Sequence, residues 1–313
     1  MPPPPHRQAR ASLWAAVAIM VVWGCNFAVT KYLLAEIGVG PFLFMRFASL
    51  PLLGFALLAI VFRRRLRRTI PRREDWARFL ACGLIGQTLH VGIVMWGINL
   101  STAFSSALVL TSGPLFTLLI LAVLGVERLR ARQMAGTLVA FAGIIVFLSD
   151  KFARGLAQAG AGDLVLLFAA SLFSLYTVIA KPLVQRYGPL IVLAWTLAVG
   201  APPMILVTLP SMFSLPEALS PWVWVALTWA IIVSSFLGWL VWAWVNAIRG
   251  IAKSAPLQYL MPPIAGIVAW LTLGEVFTPL KIAGAVITMG GIAWAQFGGG
   301  HPPSKEVAQP DSG

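Results

Sequence analysis

Ten apolar stretches, each long enough to cross a lipid bilayer as a helix, dominate this sequence. A bilayer core of about 30 Å requires roughly 20 helical residues, because lipid offers no partner for unpaired backbone groups. The chain is 59% apolar and 11% charged, whereas soluble domains carry about 25% charged residues. We therefore predict an all-α polytopic membrane protein with ten transmembrane helices. The stretches are 12–35, 40–62, 76–98, 102–125, 132–149, 162–181, 189–210, 221–247, 253–273 and 279–297.

The segments outside these stretches are short and carry little apolar surface. We expect residues 1–11 and 298–313, which are rich in proline, to form disordered cytoplasmic tails. Residues 150–161 are predicted to be an external linker. Cys25 and Cys82 lie inside apolar stretches without a nearby Cys or His partner, so no metal site is indicated, and we expect no cofactor.

Basic residues are distributed unevenly between the two sides of the predicted bundle. The net charge of +13 and the pI near 10.9 could indicate nucleic-acid binding, but the basic residues lie in short loops between apolar stretches. If the N-terminus is inside, 18 Lys and Arg face the cytoplasm and three face outward. Because cytoplasmic loops retain Lys and Arg, we predict that both termini are cytoplasmic, and we expect no nucleic-acid partner.

The second half of the sequence repeats the first at an offset of 148 residues. Two copies of five spans each, residues 12–149 and 162–297, would cross the membrane in opposite senses because five is odd. Such inverted repeats are typical of transporters, in which a site between the halves faces each side in turn. The seven identities are Trp96 and Trp244, Ser106 and Ser254, Ala107 and Ala255, Pro114 and Pro262, Glu127 and Glu275, Gly136 and Gly284, and Gly143 and Gly291.

Several short motifs recur in a fixed order along the chain. They are Trp23-Gly24, Asn26-Phe27, Arg46-Phe47, Trp96, Ala103, Ser106, Pro114-Leu115-Phe116 and Glu127-Arg128-Leu129, echoed by Arg249-Gly250, Ser254-Ala255, Pro262 and Gly274-Glu275. In these motifs the chain resembles the drug/metabolite transporter superfamily, specifically its EamA-type ten-helix exporters. The resemblance covers residues 12–297 and implies a basket-like bundle that exports small metabolites, as bacterial amino-acid exporters do. It also implies a bacterial inner (plasma) membrane location.

Polar and aromatic residues inside the spans are the candidates for a central substrate cavity, because polar groups in a membrane usually face the protein interior. His90 could exchange a proton or hydrogen-bond a substrate, since imidazole titrates near physiological pH. It could equally be a neutral histidine bonded within the bundle. The predicted cavity residues are Trp23, Asn26, Gln87, His90, Tyr176, Trp239 and Gln258.

Three basic residues and two prolines could each have one of two roles. Lys31, Arg46 and Lys181 could attract a carboxylate or carry a charge or proton role, or their ammonium and guanidinium groups could extend to the lipid head groups. Pro114 and Pro262 are predicted hinges of the two repeats, although they could also simply bend their helices.

The predicted function is export of amino acids or related metabolites by alternating access. Efflux of drugs or other organic solutes is an alternative. A polytopic enzyme acting on lipid or a carrier-linked sugar is less favoured, because no convergent set of acidic residues is evident. A scaffold or channel subunit is the remaining class. We expect a small-molecule substrate and lipid as partners, and a monomer is compatible with the sequence.

Overall fold

The computed structural model describes residues 6–124, 131–153, 155, 157–215, 218–249 and 254–297, and all regular elements in these ranges are helical. Eight of these helices are long and apolar enough to cross a membrane, and two shorter apolar helices follow. The ten helices are α1 Arg10–Ile37, α2 Val39–Phe62, α3 Arg73–Leu100, α4 Ala103–Val123, α5 Ala131–Asp150, α6 Gly160–Tyr187, α7 Pro189–Ser214, α8 Pro221–Arg249, α9 Leu257–Leu273 and α10 Pro279–Ala295.

Helix extends further than the sequence predicted at two places. The helix containing α1 begins at His6, so the prediction of disorder does not hold for residues 6–11, which are mostly good helix formers. The helix of α5 continues to Ala153 and that of α6 begins at Ala157, so most of the predicted 150–161 linker is helical. Residues 1–5 and 298–313 lie outside the described ranges.

Most of the extensive helix pairings are preserved when the two halves are exchanged. The most extensive pairs are α5 with α10, α3 with α6, α2 with α7, α1 with α8, α1 with α9, and α3 with α7, and only the last has no comparable counterpart. Exchanging α1 with α6, α2 with α7, α3 with α8, α4 with α9 and α5 with α10 turns the α3–α6 pair into the α8–α1 pair. The α2–α7 and α5–α10 pairs each map onto themselves.

Glycines allow α5 and α10 to pack backbone against backbone. A Cβ atom added to any of four glycines would overlap a backbone nitrogen of the facing helix, which is the close approach that small residues permit between membrane helices. Residue numbers rise along α5 as they fall along α10, so the two helices are antiparallel. The contacts are Gly136 with Ala295, Gly284 with Phe147, Gly143 with Thr288, and Gly291 with Ala140. Replacing each residue by its counterpart 148 positions away in the other half converts the first contact into the second and the third into the fourth.

Irregular turns also occur at matching positions in the two halves. A π-helical stretch, Cys82–Leu89, interrupts α3, and another, Trp229–Leu237, interrupts α8. α4 is divided between Leu110 and Gly113, and a 3-10 stretch, Ala255–Leu260, leads into the regular part of α9. π-helical turns are rare and often lie at functional sites, so α3 and α8 are natural places to look for one.

Candidate functional site

Four side chains form an aromatic cluster between α3, α6 and α8: His90, Phe173, Tyr176 and Trp239. The Phe173 ring lies 5.2 Å from His90, 5.8 Å from Trp239 and 6.2 Å from Tyr176, measured between centroids. The Tyr176 and Trp239 rings are 5.8 Å apart. These separations fall within the 4.5–7 Å range of favourable ring pairs. The structure thus brings together three of the predicted cavity residues.

His90 is held in one orientation inside this cluster. Its side chain is buried, and its Nδ1 lies 2.9 Å from the carbonyl oxygen of Ala169 on α6. A carbonyl oxygen only accepts a hydrogen bond, so Nδ1 carries the proton and donates it. Within the described chain no residue hydrogen-bonds the other ring nitrogen, Nε2.

Glycines next to the π-helical stretches make room for aromatic rings. A Cβ on Gly86 would overlap the Tyr176 ring, and one on Gly238 would overlap the Trp23 indole. Trp23 donates from Nε1 to the carbonyl oxygen of Ser234 at 2.9 Å, within the π-helical stretch of α8. Its ring also meets that of Trp242 edge-on at 5.8 Å. Trp23 therefore fixes α1 against α8 beside the aromatic cluster.

The three predicted amides lie in separate surroundings. Asn26 donates from Nδ2 to Thr30 at 3.2 Å, while its buried Oδ1 has no hydrogen-bond partner among the described residues. Gln87 is 1% exposed, and a Cβ on Gly200 of α7 would overlap its side chain. Its Nε2 is likewise unpartnered within the described ranges. Gln258 is buried in the 3-10 stretch at the start of α9.

The predicted charged residues differ sharply in environment. Lys31 donates from Nζ to the carbonyl oxygens of Ile98, Asn99 and Ser101 at 3.1, 3.0 and 2.8 Å. This cation at the carboxyl end of α3 is favoured by the helix dipole. Lys181 is exposed.

Arg46 lies in the interior of the bundle. Its side chain is 6% exposed, and no described residue accepts a hydrogen bond from its Nε. An arginine in such a position is expected to act within the protein rather than at the lipid head groups.

Pro114 and Pro262 each lie in the first turn of a helical segment that follows an irregular one. Proline has no backbone N–H, which the first turn of a helix does not need. Both prolines therefore mark a change of helix geometry at equivalent points of the two halves.

Sequence reasoning missed the central position of Phe173, and although it named Lys31 it did not predict the polar group that we call the end cluster: Lys31, Ser101, Asp163, Glu275 and Lys281. Ser101, Asp163 and Lys281 are buried, and Lys31 and Glu275 are half-buried. The Ser101 hydroxyl donates to Asp163 Oδ1. Glu275 accepts the backbone N–H of Ala103 at 2.5 Å and lies 3.8 Å from Lys281 Nζ. A helical spacing of three between Phe173 and Tyr176 could have indicated the first. No local signal indicates that Lys281, near the start of the predicted stretch 279–297, is 5% exposed.

The comparisons with known proteins agree with this architecture. The model of the EamA-like transporter family matches the chain twice, at residues 10–149 and 160–296. A solved crystal structure superposes with a TM-score of 0.62 at 19% identity, covering 91% of this chain and 97% of that one. The likeness to this structure shows that the fold is shared.

Curated relatives are similar along nearly their whole length. A "Probable terminal-alkyne amino-acid exporter" of Streptantibioticus cattleyicolor is 30% identical over 90% of this chain and 92% of that protein. A "Probable amino-acid metabolite efflux pump" of Salmonella typhimurium is 25% identical, with 93% and 96% covered. The protein of the same description from Escherichia coli is also 25% identical, with 90% and 94% covered. The two family matches and these similarities show that the protein crosses the membrane several times. The chain belongs to the EamA-like transporter family.

Proposed function

We propose that this protein exports amino acids or related small metabolites by alternating access between two inverted five-helix halves. The observation that carries the mechanism is the packing of α5 against α10, whose glycine contacts recur at an offset of 148 residues. The antiparallel course of these helices is what two halves threaded in opposite senses require. The double match to the family model supports the same division.

The aromatic cluster is the proposed substrate site. It lies between helices of both halves, because α3 belongs to the first half and α6 and α8 to the second. Its rings offer an apolar surface, while His90 Nε2 and the buried cation of Arg46 offer polar groups for a carboxylate. An amino acid with an apolar side chain has both features. The descriptions of three relatives as amino-acid exporters or efflux pumps support this cargo class.

Trp23, Asn26, Gln87 and Gln258 extend the proposed site beyond the rings. The unpartnered Asn26 Oδ1 and Gln87 Nε2 are costly when buried, unless a substrate or water satisfies them during part of the cycle. Pro114 and Pro262 then mark the segments of α4 and α9 that change geometry as the halves move.

The end cluster is the proposed closure of one side. Opening that side separates α3 and α4 from their neighbours, so the Ser101–Asp163 and Ala103–Glu275 hydrogen bonds must break. Polar contacts suit a reversible closure, since water can replace them once the end opens. Lys31 would leave the end of α3 in the same step.

Because both halves belong to one chain, a monomer can complete the cycle. The greater number of basic residues on one side supports an orientation with both termini in the cytoplasm. The bacterial relatives named above support a location in the bacterial inner membrane.

Counterflow in proteoliposomes tests the proposal. Vesicles loaded with one unlabelled amino acid should take up the same labelled amino acid, and a panel of amino acids will rank the cargoes. Trp239→Leu should change this ranking because it alters the wall of the aromatic cluster. Trp96→Leu is the matched control, since Trp96 is 55% exposed on the outside of α3. Absence of exchange for every amino acid would refute the cargo class, and an unchanged ranking in Trp239→Leu would move the site elsewhere.

A further inference from the structure

An arginine-rich segment follows the end of α2 and continues into the first turns of α3. We define the arginine segment as residues 63–78. It leaves α2 at Arg63, which has φ 40°, the one positive φ of a non-glycine residue in the described ranges. A 3-10 helix, Arg63–Thr69, follows at once. Because α2 is long and apolar enough to cross a membrane, its end at Phe62 places the start of this segment at the level of the membrane surface. Its arginines are Arg63, Arg64, Arg65, Arg67, Arg68, Arg72, Arg73 and Arg78.

The segment is fixed to the second half of the protein by hydrogen bonds at three places. Trp195 Nε1 donates to the carbonyl oxygen of Thr69 at 2.7 Å. The backbone N–H of Arg72 donates to the Tyr187 hydroxyl at 3.0 Å, and that hydroxyl donates to Asp75 at 2.5 Å. A surface held in this way loses little conformational entropy when a ligand binds.

Nearly all of the positive charge of the segment is left without an internal partner. Its two carboxylates are both occupied by Arg186, which lies 2.6 Å from Glu74 and 2.8 Å from Asp75. A longer contact of 3.8 Å joins Arg72 to Glu74. The remaining arginines with described side chains are exposed, and no carboxylate of the described chain pairs with them: Arg63, Arg65, Arg67, Arg68, Arg73 and Arg78.

Apolar side chains alternate with these arginines. Leu66 is 41% exposed, Ile70 55% and Trp76 36%. These exposed apolar side chains would not be stabilised on a surface that faced only water. At a membrane interface the apolar groups enter the acyl boundary, while the guanidinium groups remain among the head groups.

We propose that the arginine segment is a binding site for anionic phospholipid head groups of the adjacent leaflet. A guanidinium donates two parallel hydrogen bonds to a phosphate, and several of them together prefer anionic to zwitterionic lipid. A soluble polyanion would contact the arginines but leave the intervening Leu66 and Ile70 unburied. A lipid surface both pairs with the arginines and buries the apolar side chains between them. The inference requires that the chain cross the membrane, and it does not depend on the cargo.

The test uses the purified full-length protein in a neutral detergent, titrated with short-chain phosphatidylglycerol. The dissociation constant is obtained from the lipid-dependent shift in thermal unfolding. Loss of one arginine near a membrane surface costs about fivefold in affinity. We therefore expect Arg67→Gln/Arg68→Gln to bind at least about tenfold more weakly. Arg67→Lys/Arg68→Lys, which keeps the charge, should retain most of the binding.

The matched control is Arg7→Gln/Arg10→Gln, which removes the same charge from two exposed arginines outside the segment. It should bind the lipid as the unaltered protein does. Equal weakening in both double variants would overturn the proposal, as would equal affinity for short-chain phosphatidylcholine. Competition by inorganic phosphate at the same concentration would indicate a soluble anion instead. Tighter binding of an oligonucleotide than of the lipid would also refute it. Since no transport is measured, failure here leaves the proposed export untouched.

Discussion

Lys31 and Lys181 occupy similar positions in the two halves but have different structural roles. Lys31 donates three hydrogen bonds to carbonyl oxygens at the end of α3, whereas Lys181 is exposed. Lys31→Met should lower the free energy of unfolding by roughly 1–3 kcal/mol, because carbonyl groups lose a charged donor. Lys181→Met should change it by less than about 0.5 kcal/mol. Thermal unfolding of both variants in detergent, followed by helical circular dichroism, measures the difference. Equal losses would show that the α3 contact is not stabilising.

His90 connects the ring contacts of the proposed site to a backbone carbonyl, so its removal should affect transport. His90→Ala removes the stacking on Phe173 and the hydrogen bond to Ala169. We expect a lower counterflow rate, because the site loses one ring face and one fixed hydrogen bond. His90→Asn retains a hydrogen-bond donor but not the ring, and so distinguishes the two losses. Rates that match the unaltered protein at every pH would exclude His90 from the mechanism.

At the residue scale, polar residues inside spans could be identified from the sequence, but their partners could not. His90, Tyr176 and Trp239 were predicted as cavity residues, and the structure brings them together. Phe173 was not, because its spacing of three from Tyr176 indicates a shared helix face but not which rings lie opposite that face. The burial of Lys281 against Phe104 and Phe277 likewise depends on how α10 packs and not on its own sequence.

The interface between α5 and α10 tests the importance of close helix packing at the scale of elements. Gly291→Ala should destabilise the protein by about 1–3 kcal/mol, because the added methyl group overlaps the backbone of Ala140 and forces the helices apart. Gly290→Ala is the control one residue away, since a Cβ there meets no atom within 4 Å. It should be neutral or stabilising by up to about 1 kcal/mol, as alanine favours helix.

Thermal unfolding of the two glycine variants provides the measurement, and Gly143→Ala offers an independent check. Gly143 is the counterpart of Gly291 in the first half and meets the backbone of Thr288. A loss similar to that of Gly291→Ala is expected. If Gly290→Ala were the more damaging of the neighbouring pair, the antiparallel glycine contact would not be a determinant of stability.

Helix positions followed from hydropathy, but helix irregularity did not. Each of the ten predicted stretches overlaps one of the described helices, because the length of apolar chain that crosses lipid is set by bilayer thickness. The π-helical stretch Cys82–Leu89 had no comparable signal. It adds a residue to the turn that faces α6 and α7, and such a change is decided by packing between helices. The division of α4 before Gly113 was suggested only by the adjacent Pro114.

At the scale of the whole molecule, transport by alternating access depends on how the halves are threaded through the membrane. The helices α5 and α10 pack antiparallel. If each half crosses the membrane five times, as we propose, the total is even and both termini lie on the same side. The charge distribution predicts that this side is the cytoplasm and that the loop near Arg67 faces it too.

Single cysteines at opposite ends of the bundle can test this orientation. In a Cys25→Ser/Cys82→Ser background, Arg67→Cys should react with a membrane-impermeant maleimide only after intact cells are permeabilised. A cysteine replacing Ala157 should react in intact cells, because the turn between α5 and α6 is expected outside. The reverse pattern would place the arginine segment on the outer side of the membrane and the end cluster on the cytoplasmic side. Reaction of both positions from the same side would be incompatible with five spans in each half, and the exchange of two inverted halves would then lose its structural basis.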